Sequence, residues 1–338
     1  MSYLYKNTQI NDFAIKFIHV HVDKLVLFFP FEPLDSLFTA LSEAFGTPKD
    51  QWLWRSHRRQ QVYEQGKDKL SLVYTQNGHC LMTLHDPHGE FQEKVKKVLW
   101  SLEIEPFVTN IELAWDFYSK ENHRLKEFLD RHIVILYART APITYDNTYY
   151  PSEIRGKVKG VRIYGRPKFS RKKKFIRLEL VLNRKKIKEL NITFPITPDQ
   201  LDLDFNKFFR FQRFDKDKFY RYLVRQESTK VRELYTPKSN KLLHPIKRKR
   251  AELYKRVVAS WVEWFADHKM MTVINRLKEP FYKTKSYHRF FIPLDDWNRL
   301  IKDEAERQQF CLDTSLHDYM LAFIEADAAS IYEESDFE

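Results

Sequence analysis

Alternation of apolar and polar residues is clearest in three stretches of the chain. In Val108-Thr-Asn-Ile-Glu-Leu-Ala-Trp-Asp-Phe-Tyr118, Ile111, Leu113, Trp115 and Phe117 fall on one side, and Asn110, Glu112, Ala114 and Asp116 on the other. Val161-Arg-Ile-Tyr-Gly-Arg-Pro-Lys168 sets Val161 and Ile163 against Arg162 and Tyr164. Phe175-Ile-Arg-Leu-Glu-Leu-Val-Leu-Asn-Arg184 sets Ile176, Leu178, Leu180 and Leu182 against Arg177, Glu179 and Asn183. A period of two predicts strands with one face buried. If the three share a sheet, its second face gathers a tyrosine, two arginines and three carboxylates.

The remaining pattern places this core in a larger frame. Residues 13–31 are apolar and rich in β-branched side chains, predicting a strand with a break near His19-Val-His21. Helical spacing follows over 34–45, closed by Gly46-Thr-Pro48. Strands are expected over 60–65, 69–75 and 79–85, with Gln76-Asn-Gly78 as the hairpin turn of the last two. An amphipathic helix over 90–104 and another over 123–139 flank the Asp116 strand, and a loop-rich connection over 140–160 carries Tyr145, Tyr149 and Tyr150. Beyond about residue 199 the chain becomes aromatic, basic and helical in spacing, with helices expected over 215–226, 248–268, 295–306 and 312–331. These patterns predict an α+β protein. Residues 1–200 would form a curved, mostly antiparallel sheet with flanking helices, and 201–338 a basic, mainly helical segment with an acidic tail.

Composition narrows the function. With 43% hydrophobic and 15% aromatic residues, 338 residues suffice for a substantial core. The net charge of +12 favours a polyanionic partner, nucleic acid before membrane. Two distant cysteines, Cys80 and Cys311, fit a reducing compartment and predict no zinc module. No long apolar span is present, so a cytoplasmic protein without membrane attachment is expected. There is no glycine-rich phosphate loop, no Gly-x-Ser-x-Gly and no His-Glu-x-x-His, which argues against an ATP-driven motor or a serine hydrolase.

Two basic blocks carry the positive charge. One includes Arg166, Lys168, Arg171, Lys172, Lys173, Lys174 and Arg184; the other includes Lys247, Arg248, Lys249 and Arg250. Their near lack of opposite charge suits a phosphate backbone. Phe208, Phe209, Phe211 and Phe214, interleaved with Arg210 and Arg213, suit either stacking on single-stranded bases or a helical core. Asp116, Glu179 and Glu112 offer the oxygen ligands that Mg²⁺ or Mn²⁺ take. Tyr164, between Arg162 and Arg166, is a candidate nucleophile, since cations favour a phenolate and hold phosphate oxygens. His19-Val-His21 matches the His-hydrophobe-His metal motif of many nicking enzymes, with Tyr282-Lys-Thr-Lys285 as a distant tyrosine partner. Structural histidines at a strand edge are the favoured reading of that pair.

Taken in order, the three stretches resemble motifs of plasmid rolling-circle replication initiators, the Rep_trans or replication initiation factor family, over roughly residues 60–190. The Asp116 strand resembles their F-T-R-L-D-L-A-x-D-F strand. The Tyr164 strand resembles I-R-I-Y-x-K, and the Glu179 strand resembles W-R-x-E-x-E-L-K-R. Glu112 stands where aspartate is usual, Arg166 where lysine is usual, and Val181 where a second glutamate is usual. The resemblance implies that Tyr164 nicks one strand of an origin hairpin and stays on the 5′ phosphate. It implies a Mg²⁺ or Mn²⁺ ion on Asp116 and Glu179, with Arg162 and Arg177 on the non-bridging oxygens. A homodimer and a host helicase as partner are implied as well. The same chemistry would serve a relaxase of an integrative conjugative element. A DNA-binding protein that kept the scaffold without the cut is the third possibility, and Val181 is its best argument.

Overall fold

The computed structural model describes residues 13–29, 35–53, 58–74, 79–134, 143–145, 148–150, 160–166, 175–215, 218, 221 and 291–335. A ten-stranded open sheet dominates them. Its strands are β1 (Ile15–Phe29), β2 (Lys49–Leu53), β3 (Arg58–Gln65), β4 (Asp68–Tyr74), β5 (Cys80–His85), β6 (Phe107–Ser119), β8 (Ile143–Tyr145), β9 (Thr148–Tyr150), β10 (Gly160–Arg166) and β11 (Phe175–Asn183). They lie in the order β2-β3-β4-β5-β1-β6-β11-β10-β9-β8, and every neighbouring pair is antiparallel. Helices α1 (Asp35–Phe45), α2 (Gly89–Ser101), α3 (Asn122–His132) and α4 (Arg184–Glu189) join the strands. A separate three-stranded sheet sets β12 (Arg210–Phe214) between β7 (Ile133–Val134) and β13 (Phe291–Pro293). Two helices end the chain, α5 (Asp295–Gln308) and α6 (Thr314–Ser335). The α+β class, the antiparallel sheet and the helical C-terminal segment agree with the sequence pattern. No helix among the described residues is long and apolar enough to cross a membrane.

The element order of the large sheet repeats itself. A long strand, a helix, four short strands and a closing helix run from β1 to α2, and the same succession runs from β6 to α4 if the short β7 is set aside. In each half the fourth short strand returns to pair with the long one, β5 with β1 and β11 with β6. The two long strands then pair with each other at the centre. Nothing in the residue sequence announced this repeat.

β1 is continuous through His19 and His21, and one of the three shifts in its register against β6 falls just after them. The register against β6 slips between Val22 and Lys24, so two residues of β1 sit where one would fit. The slip reverses the side-chain phase. Val20 and Val22 face the core before it, and Leu25, Leu27 and Phe29 after it, all essentially buried. Asp23 and Lys24 therefore both project on the polar side.

The apolar face closes against the C-terminal part of the chain. Trp115, fully buried, lies edge-on to Phe205, Phe209 and Phe310, and its Nε1 donates to the Ile301 carbonyl at 3.1 Å. Phe209 and Phe211 are buried here in and beside β12. They are core residues in and around a strand, not a helix and not a stacking platform. The expected turn at 76–78 and helix at 248–268, and most of the helix expected at 215–226, lie outside the described residues.

From α5 the chain passes round the free edge of β1. The half of β1 that carries the histidines extends beyond β5, leaving its backbone groups without a strand partner on that side among the described residues. Gln308, fully buried, caps them: its Oε1 accepts from Val20 N at 2.7 Å and its Nε2 donates to Ile18 O at 2.6 Å. Gln309, Phe310 and Cys311 then turn with φ of 43°, 55° and 49°. A left-handed run of non-glycine residues costs roughly 1–2 kcal/mol per residue, so tertiary contacts must hold it. Gly89 meets the segment next, donating its N–H to Leu312 O at 2.7 Å. Past the turn, Ile324 of α6 packs against Tyr118 and Phe175, on the opposite face from Trp115.

Candidate active site on the polar face of the central strands

Antiparallel register places the predicted residues in rows. Tyr164 stands opposite Arg177, Arg177 opposite Asp116, and Asp116 opposite His19. One step along, Arg162 stands opposite Glu179, Glu179 opposite Ala114, and Ala114 opposite His21. Ala114, the small member of that row, leaves room above it for longer neighbours. Three strands, β10, β11 and β6, thus bring together the six residues assigned to catalysis and metal binding from sequence, and β1 lays His19 and His21 beside them.

Two linked clusters result. In the first, Arg177 Nε and Nη2 donate to the two carboxylate oxygens of Asp116, each at 2.6 Å. Arg177 Nη1 donates to Asp23 Oδ1, and Nη2 lies 3.3 Å from His21 Nε2. Burial opposes the Arg177 charge, but the Asp116 and Asp23 carboxylates outweigh it and hold the guanidinium well above its usual pKa. In the second cluster, the Tyr164 hydroxyl donates to Glu179 Oε2 at 2.7 Å and Arg162 Nη2 donates to Glu179 Oε1. Arg162 Nη2 also lies 3.1 Å from Glu112, which Lys24 Nζ reaches from the other side at 3.0 Å.

Electrostatics separate the two glutamates. Burial pushes the Glu179 carboxyl up to about 7, with Glu112 and Asp23 adding to the effect and Arg162 opposing it. Glu112 is also desolvated, yet Lys24 and Arg162 outweigh that and hold it below the ordinary carboxylate range. Both arginines feel the Tyr164 oxygen, so both would stabilise a phenolate there. Arg162 and Asp23, each with a side chain one-fifth exposed, and the more exposed Lys24 form the rim of the site.

Sequence reasoning missed Asp23. Oxygen atoms of Asp23, Glu112 and Glu179 lie within 4.8 Å of one another, a donor set that suits a hard divalent cation. Val181, where the family pattern has a glutamate, is buried opposite Glu112 and contributes no charge. Asp23 supplies an acid to the same cluster from the other side. The available signal was the phase reversal from Val20 and Val22 to Leu25, Leu27 and Phe29.

Asp116 behaves differently from the expectation for an open metal ligand, since both its oxygens are taken by Arg177. It also falls in a second grouping with His19 and His21. Of the DNA-binding residues assigned from sequence, Arg184 is exposed at the start of α4 and lies 6.0 Å from the Phe28 ring. Arg166 ends β10. Lys168, Arg171, Lys172, Lys173, Lys174, Lys247, Arg248, Lys249 and Arg250 lie outside the described residues, as does Tyr282. Neither a protein-family model nor a curated protein matches this chain.

Proposed function

We propose that this protein nicks and rejoins one strand of DNA at the origin of a plasmid or mobile element, with Tyr164 as nucleophile, and so starts rolling-circle replication. The observation that carries the reading is the Tyr164 hydroxyl donating to a buried glutamate whose carboxyl titrates at about 7. A base with a pKa near neutrality, already bonded to the proton it must take, suits general-base activation of a phenol.

In the step proposed, Tyr164 Oη attacks phosphorus as its proton passes to Glu179 Oε2. The Oη–P bond forms and the P–O3′ bond breaks. The departing 3′ oxygen takes a proton from solvent, leaving a 3′ hydroxyl for a polymerase and the 5′ phosphate on Tyr164. Rejoining is the reverse. Arg162, at the rim and beside the phenol, is placed to meet the non-bridging oxygens. Arg177 is committed to Asp116, Asp23 and His21, so its role is to position rather than to touch phosphate. Mg²⁺ or Mn²⁺ on Asp23, Glu112 and Glu179 would supply Lewis acidity toward the phosphoryl group when bound. The donor set fits such an ion in kind, because oxygen atoms of Asp23, Glu112 and Glu179 converge within 4.8 Å of one another.

The +12 charge supports DNA as substrate and predicts salt-sensitive binding. A hairpin or single-stranded nick site, a homodimer and a host helicase come with the family resemblance. Full engagement of Asp116 by Arg177 favours one competing reading, a DNA-binding protein that keeps the scaffold without the cut. Nicking of a supercoiled plasmid bearing the element's own origin, with Mg²⁺ or Mn²⁺, separates the two. Wild type should nick and leave a trapped protein–DNA adduct, and Tyr164→Phe should do neither. Origin binding by wild type without any metal-dependent nick would establish the competing reading.

A further inference from the structure

We propose that His19, Cys311 and His317 form a second metal site, for a thiolate-preferring divalent ion such as Zn²⁺, that staples the C-terminal segment round the edge of β1. One ligand atom from each residue lies within 4.8 Å of the other two, and all three residues are at least 97% buried. A tetrahedral ion with bonds of about 2.0–2.3 Å needs its ligand atoms only about 1 Å closer than that limit.

The unpaired atoms of the site point to a ligand. Among the described residues, His19 Nε2 and His317 Nδ1 are buried without a hydrogen-bond partner. A buried polar atom left unpaired is costly, and a ring nitrogen in that condition is an available lone pair. Protonation does not resolve the cost, because His21, His19, His317 and His88 lie in that ring-to-ring order with centroids 4.3, 6.2 and 5.3 Å apart, and their charges would repel. A cation among neutral imidazoles and a thiolate does resolve it.

The surroundings have the form of a second coordination shell. Asp86 Oδ2 lies 3.8 Å from His317 Nε2, on the side away from the free Nδ1, as a carboxylate behind a metal-bound histidine does. The Cys311 thiol donates to Gln308 Oε1 at 3.7 Å while the same side chain caps β1, so the protein holds Sγ in place and binding of an ion would replace that proton. The left-handed turn over residues 309–311 ends at Cys311, within the 4.8 Å group that holds His19. The competing group of His19, His21 and Asp116 is weaker, because Arg177 already occupies both Asp116 oxygens. Sulfur also distinguishes this site from the all-oxygen cluster at Glu179, so the two should select different ions.

The test is a Co²⁺ titration of the full-length, reduced, chelator-stripped protein, with excess Mg²⁺ present to fill oxygen-only sites. One equivalent should give tetrahedral d–d bands and a sulfur-to-cobalt charge-transfer band, both abolished by Zn²⁺. Cys311→Ser should lose the charge-transfer band, Cys80→Ser should keep it, and His317→Gln should weaken Co²⁺ binding by tenfold or more. Absence of the charge-transfer band in wild type overturns the proposal whatever the variants do. So does its persistence in Cys311→Ser. Nicking activity does not enter the readout, so the second site and the proposed reaction stand or fall separately.

Discussion

Replacing Glu179 by glutamine should change how stability depends on pH. In the folded protein burial lifts the Glu179 carboxyl from its ordinary 4.5 to about 7. Between those values the unfolded chain has released the proton and the folded chain still binds it. Stability must therefore be greatest below 4.5 and fall as pH rises through 7. That displacement sets a ceiling on the order of 3 kcal/mol, and the opposing Arg162 charge lies within it. Glutamine keeps the shape and a hydrogen-bonding oxygen for Tyr164 but has no proton to lose, so this loss should vanish. Glu112 does not blur the window, because its carboxyl is held below 4.5 and titrates under it. The histidines do titrate nearby. Burial is the largest influence on each; it lowers His19, His317 and His85, while Asp86 and Asp23 overcome it and raise His21. Because both proteins share them, subtracting one curve from the other removes their contribution. Urea unfolding in chelator, from about pH 4.5 to about pH 8, should show the variant gaining on wild type by about 1–3 kcal/mol toward the alkaline end. A flat difference would refute the account of a buried, proton-holding carboxyl. Mn²⁺ should restore wild type above pH 7 and leave the variant unmoved.

Arg177→Leu should cost about 3–5 kcal/mol in chemical denaturation, because it strands the Asp116 and Asp23 charges inside the protein. The double change with Asp116→Leu should recover a good part of that loss, and a double-mutant cycle measures the coupling. Gly89→Ala sets a Cβ 2.7 Å from the Leu312 carbonyl oxygen, so a backbone segment has to move. The variant should lose about 1–3 kcal/mol and become cleavable near residue 312 at protease levels that spare wild type. Tyr164→Phe should keep the fold and the origin affinity within error while the covalent adduct disappears.

Regular alternation made the centre of this protein readable from its residues. Asn110 through Phe117 keeps one phase without interruption, so Asp116 and Glu112 fall on the face predicted for them. The same holds for Arg177 and Glu179, and for Arg162 and Tyr164. What pairwise pattern cannot express is order across the sheet. No local signal says that β1 pairs with β6, which is what carries His19, His21 and Asp23 to Asp116. The β12 strand was hidden by the spacing of Phe208, Phe209 and Phe211, which fits a helix as well as a strand. Short edge elements such as β2, with lysine, aspartate and glutamine in a row, lack the apolar stripe that would mark them.

Asp23 decides whether the face works as one site. It touches both clusters, through Arg177 on one side and through the group with Glu112 and Glu179 on the other. An acid at position 181 would have been fixed to β11 and served one cluster only. At a bulge in the partner strand, Asp23 can join the Glu112 and Glu179 group and also bias Arg177. Asp23→Asn should therefore act on two observables at once. Mn²⁺ affinity, read by calorimetry, should fall tenfold or more as a ligand charge is lost. In chelator, by contrast, the substitution should ease the like-charge crowding that helps raise Glu179 and shift its titration downward. If Asp23 were only a partner for Arg177, Mn²⁺ affinity would stay within error of wild type, and Glu112 and Glu179 would be left without a third acid in the group.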